Sequence, residues 1–136
     1  MKTILVCYEE RPVASKVLER AAELAKLSGA SVVVTSVAPQ VHGRGLGPID
    51  PADPPERHEE ELKNAAAELS SLGVSSVTTV VGMGDPAHAI LAAAEEHGAD
   101  LIVLGAHEGG ALSRVIGGSI GDLIAHKAHA DVLIVH

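Results

Sequence analysis

Short apolar runs alternate with helical patterns along the whole chain. The apolar runs read as strands at about Thr3 to Tyr8, Ser31 to Val37, Ser76 to Val81, Asp100 to Leu104 and Asp131 to Val135. Between them, apolar positions recur at helical spacing. The first helical stretch runs from near Pro12 to Ser28 and closes on Gly29. The second opens on Asp53-Pro54-Pro55-Glu56, which supplies an N-cap, a proline at the first helical position and a capping-box glutamate. Leu62, Ala65, Ala66, Leu69 and Leu72 mark its apolar face, and Gly73 ends it. Asp85-Pro86 starts a third helix that Gly98 stops, and a fourth runs from about Ser119 to Ala128.

Strands separated by helices require parallel pairing through right-handed crossovers. The pattern predicts an α/β fold with helices on both faces of a five-stranded parallel sheet, in one domain over residues 1–136. Apolar residues make up 46% of the chain but only one residue is aromatic, so the core must be aliphatic, with alanine-rich helices packed closely on a Val/Ile sheet. No helical pattern follows the last strand, which leaves a sheet edge uncovered. An apolar edge is a pairing hazard, so Ala130 to Val135 is the expected interface of a homodimer.

The formal net charge of −8 argues against nucleic acid, which needs a basic face, and leaves open a small anion held by local amides. Cys7 is the only cysteine and sits inside the apolar run ILVCY, which points to a buried thiol and a reducing compartment. The opening apolar run is too short for a signal peptide, and no later run approaches a membrane span. The expectation is a soluble cytoplasmic protein with no membrane partner.

Six stretches carry a family resemblance across nearly the full length: the opening ILV strand, AAELAKLSGA, SVVVTSVAP, VVGMGDPAHAI, GADLIVLGAH and GGSIGDLIAHKAHADVLIVH. The chain resembles the universal stress proteins. That resemblance implies a doubly wound sheet of strand order 3-2-1-4-5. In such sheets ligands sit beyond the carboxyl ends of strands where the connections reverse, here between the first and fourth strands. The loops at that point are Glu9 to Pro12 and Gly105 to Gly118.

Members of the family that hold ATP carry Gly-x-x-Gly, nine residues, then Gly followed by Ser or Thr. This chain has Gly105, then Glu108 in place of the second glycine, nine residues, and Gly118-Ser119. Gly105 ends a strand where a missing side chain lets a purine or ribose approach the backbone. Gly118, Ser119 and Ile120 begin a helix whose free amides suit phosphate oxygens. Ser119 equally suits a plain helix cap, with Asp122 completing the box. Glu9 stands where nucleotide-binding relatives commonly have an aspartate, and Glu10 and Arg11 replace small residues. Val37 matches the position whose backbone touches adenine in the family, and also reads as an ordinary strand-end valine. The resemblance therefore implies an adenine nucleotide, ATP or AMP, bound weakly or conditionally. A Mg²⁺ ion would turn Glu108 from a repelling group into a ligand.

Other candidates carry less. His107 lies in the same loop, where its protonated form would suit phosphate. His126 and His129 are three residues apart, a spacing that serves metal ligands and also a solvated helix end. Without an acidic or cysteine partner nearby in sequence, the second reading is adopted and no metal site is expected. Gly43-Arg44-Gly45-Leu46-Gly47 imitates a nucleotide loop, but it lacks a strand directly before it and a helix directly after. The segment Ala38 to Pro55 reads instead as a partly mobile surface loop.

An enzyme would need a nucleophile and base, and the sequence offers no reactive cysteine environment and no catalytic lysine in the loop. A phosphoacceptor domain wants a carboxylate ending the third strand, where this chain has Val80-Val81-Gly82. Two readings remain: a non-enzymatic nucleotide-binding module, with slow ATP hydrolysis left open, and a relative that works through contacts with an unknown protein partner alone.

Overall fold

Val, Ile and Leu alternate between two buried faces of each central strand, and that alternation organises the molecule. The computed structural model describes residues 1–9, 12–38, 55–106 and 120–136. The strands are β1 (Thr3–Cys7), β2 (Ser31–Ala38), β3 (Val77–Met83), β4 (Leu101–Gly105) and β5 (Asp131–Val135). They form one parallel sheet in the order β3-β2-β1-β4-β5, as the resemblance implied. The helices are α1 (Ala14–Ser28), α2 (Pro55–Ser71), α3 (Pro86–Glu96) and α4 (Ile120–Lys127).

Ile4 and Val6 of β1 join Val32, Val34 and Val103 under Leu18, Ala21 and Ala22 of α1 and Leu62 and Leu69 of α2. Leu5 and Cys7 turn the other way. With Val33, Ile102 and Leu104 they meet Ala87, Ile90 and Ala93 of α3 and Ile120 and Ile124 of α4. Small alanines bring helix and sheet together, with Tyr8 the single aromatic residue packed against the aliphatic core, as the composition required.

The caps follow the sequence closely. Asp85 Oδ2 accepts from the His88 amide at 2.9 Å, with Pro86 in the first turn. Gly29, Gly73 and Gly98 all have positive φ beyond helix ends. Several boundaries differ from expectation by one or two residues, and three of the shifts have a visible cause. β3 continues to Met83 because Gly82 and Met83 stay in register with Val37 and Ala38. β4 starts one residue late because the Asp100 side chain turns back to accept from the amides of Lys2 at 2.6 Å and Thr3 at 2.9 Å. α1 starts at Ala14 because Pro12 and Val13 form a turn.

β5 pairs with β4 alone among the described residues, and Val132, Leu133 and Ile134 are only half buried. Among the described residues, no helix is long and apolar enough to cross a membrane. The expected cap Asp53-Pro54 and most of the loop from Ala38 to Pro55 lie outside the described residues.

Candidate functional site

β1 and β4 are neighbours whose following helices depart to opposite faces, so their carboxyl ends flank a crevice. Cys7, Tyr8 and Glu9 line it from β1, and Leu104 and Gly105 from β4. Val13, just before α1, with Ala14 and Val17 of α1 closes one side, and Ile90 of α3 and Ile120 of α4 the other. Its cavity volume is about 20 Å³, roughly the room of one water molecule, within about 400 Å³ of empty space that opens to solvent.

Of the residues singled out from sequence, the structure brings Glu9, Gly105 and Ile120 together here. Val37 is buried on β2 opposite Gly82, packs toward α3, and is not among the residues lining the crevice. Glu108, Gly118 and Ser119 lie outside the described residues, as do Glu10, Arg11 and His107. The structure also gives Gly105 a packing role that its sequence context did not reveal. A Cβ there would stand 2.7 Å from Val13 Cγ1 and 3.2 Å from Val17 Cγ2, so the missing side chain is what lets α1 lie on the end of β4.

Two groups set the chemistry of the lining. Glu9 Oε2 is buried and finds no hydrogen-bond partner among the described residues. A buried acceptor left unsatisfied is costly, so the arrangement fits a ligand that presents an N–H or O–H there. The Cys7 thiol is pushed up to about 12 by burial, which keeps it protonated and removes it as a nucleophile near neutral pH.

A second polar cluster lies under the start of α2. Ser36 Oγ and His58 Nδ1 are 2.5 Å apart, Glu61 Oε2 stands 3.8 Å from the same nitrogen, and Arg57 Nε is 3.5 Å from Glu61 Oε1. Ser36, His58 and Glu61 are buried. Serine and glutamate both approach Nδ1, so the trio lacks the relay geometry in which each ring nitrogen serves one partner. It anchors α2 to β2. His129 Nδ1 lies 3.6 Å from Glu95 Oε1, so α3 provides the acid that sequence proximity did not, and both side chains are exposed. Among the described residues no group of three or more His, Cys, Asp or Glu is placed to hold a metal ion.

Comparison with known proteins agrees with the fold. A family model described as the universal stress protein family matches residues 1–136. A universal stress protein of Methanocaldococcus jannaschii is 29% identical over 80 residues, covering 59% of this chain and 49% of that protein. The match thus spans about half the length of that relative. A universal stress protein of Archaeoglobus fulgidus, solved in complex with dAMP, superposes with a TM-score of 0.75 at 23% identity, covering 100% of this chain and 98% of the other. A universal stress protein solved in complex with cAMP gives a TM-score of 0.75 at 24% identity, covering 99% and 97% of the two chains.

Proposed function

Because the chain belongs to the universal stress protein family, we propose that it is a small cytoplasmic stress-response module that binds an adenine nucleotide, ATP or AMP, weakly or conditionally and without turnover of its own. The observation that carries this reading is the crevice beyond β1 and β4, where Glu9 holds a buried carboxylate oxygen without a hydrogen-bond partner among the described residues. Two proteins of the same fold hold dAMP and cAMP. Glu9 would accept from a ribose hydroxyl or an amino group, and the backbone at Gly105 and Ile120 would border the ligand. The phosphate end falls to Glu108, Gly118 and Ser119. The module works as a homodimer paired through β5, which buries the half-exposed Val132, Leu133 and Ile134 of both copies at once.

Glu108 makes the binding conditional. A carboxylate about 5 Å from a phosphate charge costs roughly 3 kcal/mol at an effective dielectric near 20, about a hundredfold in affinity. A bridging Mg²⁺ reverses the sign. Calorimetry with AMP, ATP and Mg-ATP tests this. The expected order is tighter binding of ATP with Mg²⁺ than without, and a gain of at least about tenfold for metal-free ATP in Glu108→Gly. Unchanged or weaker binding in that variant contradicts the repulsion. The small cavity volume, about 20 Å³, favours the second reading, a family member that acts through protein contacts alone. Absence of heat with all three ligands would select it.

A further inference from the structure

The chain contains one tyrosine, no tryptophan and no phenylalanine, so Tyr8 is its only aromatic side chain besides histidine. That residue lines the crevice directly beside Glu9. Its ring packs against the aliphatic cluster beneath α1 and α2 and is half buried. The Tyr8 amide donates to the Thr35 carbonyl at 2.8 Å, which ties the residue to β2 and fixes where the side chain leaves the sheet. Elsewhere the core is filled by Val, Ile, Leu and Ala. The rest of the cluster against which Tyr8 packs is aliphatic, so a ring is not what its filling requires. A planar ring at the mouth of a cavity is different: it offers a π face to another flat ring, a contact open to any nucleobase.

We propose that Tyr8 is the stacking platform of the crevice, holding the planar heteroaromatic ring of the ligand while Glu9 accepts from its polar edge or its sugar. This rests on the nucleotide reading above and assigns recognition of the base to a residue of this chain. Stacking needs no phosphate. An uncharged nucleoside therefore binds by the same contact, free of the repulsion from Glu108.

Because Tyr8 is the only tyrosine in a chain without tryptophan, its emission reports on the site without a label. Adenosine and, separately, ribose 5-phosphate are titrated into the full-length protein, following absorbance-corrected tyrosine emission and calorimetric heat together. Adenosine is expected to quench the emission saturably over the range in which heat is released, and ribose 5-phosphate to leave it unchanged. Tyr8→Leu should weaken adenosine binding by about five- to a hundredfold, the span of one base–aromatic stack. Tyr8→Phe, which keeps the ring, should stay within about threefold of the parent. Circular dichroism checks that each variant folds. If Tyr8→Leu does not, the parent emission and Tyr8→Phe decide. Adenosine binding with unchanged emission, or with unchanged affinity in a folded Tyr8→Leu, overturns the platform and leaves the nucleotide reading standing. A loss in Tyr8→Phe as large as that in Tyr8→Leu also overturns it, since the hydroxyl would then carry the effect. No heat with adenosine, AMP or ATP overturns both.

Discussion

Replacing Gly105 with alanine inserts one methyl group where β4 meets α1. Its carbon would lie 2.7 Å from Val13 Cγ1 and 3.2 Å from Val17 Cγ2, against an ordinary carbon–carbon separation of about 3.5–4.0 Å. Overpacking of this kind costs about 1–3 kcal/mol, and the reduced freedom of the unfolded chain offsets about 0.4–1 kcal/mol of that. The net loss should be about 1–2 kcal/mol, or roughly 3–7 °C in Tm for a chain of this length. Val13→Ala removes the nearest contact and, from a half-buried position, should cost about 1 kcal/mol alone. In that background the shortest remaining contact of the new methyl is Val17 Cγ2, at 3.2 Å. The double variant should therefore be more stable than the sum of the two single losses by at least about 1 kcal/mol. Urea denaturation of the four proteins measures the coupling. Additivity within about 0.5 kcal/mol would refute the packing argument. An undiminished stability of Gly105→Ala, with lowered nucleotide affinity, would instead show that the glycine is kept for ligand approach.

Val132→Lys and Leu133→Lys, at half-buried positions of β5, should each convert the proposed dimer to monomer by light scattering, and if both remain dimers of unchanged stability the interface is elsewhere. Ser36→Ala removes the 2.5 Å partner of His58 in a buried site and should cost about 1–3 kcal/mol in urea denaturation; a loss under about 0.5 kcal/mol would mean the cluster does not anchor α2. The backbone amides of Lys2 and then Thr3 hold the Asp100 carboxyl below its ordinary value. The sign follows: the folded value lies under the unfolded one, so this contribution is full above the unfolded value and disappears as pH falls through the folded one. The stability gap between the parent and Asp100→Ala should accordingly narrow on acidification from about pH 6 to about pH 2. A gap that stays constant or widens would contradict the assignment.

The period of the apolar residues carried most of the architecture. Two-residue alternation in strands buried on both faces, helical spacing between them, and caps such as Asp85-Pro86 are local signals, and the structure follows them. The strand order came from resemblance, because parallel pairing is a long-range choice that no local pattern encodes. The same limit hid the partners of single residues. Gly105 read as an open approach because Val13 and Val17, which fill that space, become its neighbours only when α1 folds back on the sheet. Tyr8 read as a strand end. Its being the only tyrosine was the available signal, and the crevice gives that fact a use. His58 and Glu61 were legible in principle, since they extend the Leu62, Ala65, Leu69 stripe of α2 toward its start. Polar residues on the buried face of a helix imply partners, which here include Ser36 and Arg57.

Amide chemical-shift mapping with AMP decides whether an adenine nucleotide binds beyond the carboxyl ends of β1 and β4. Shifts should concentrate at Tyr8, Glu9, Gly105, Ala106 and Ile120 and saturate together, with β3 and the far ends of the helices unmoved. Saturating shifts centred elsewhere, or none at millimolar AMP, would rule out a nucleotide site at these strand ends.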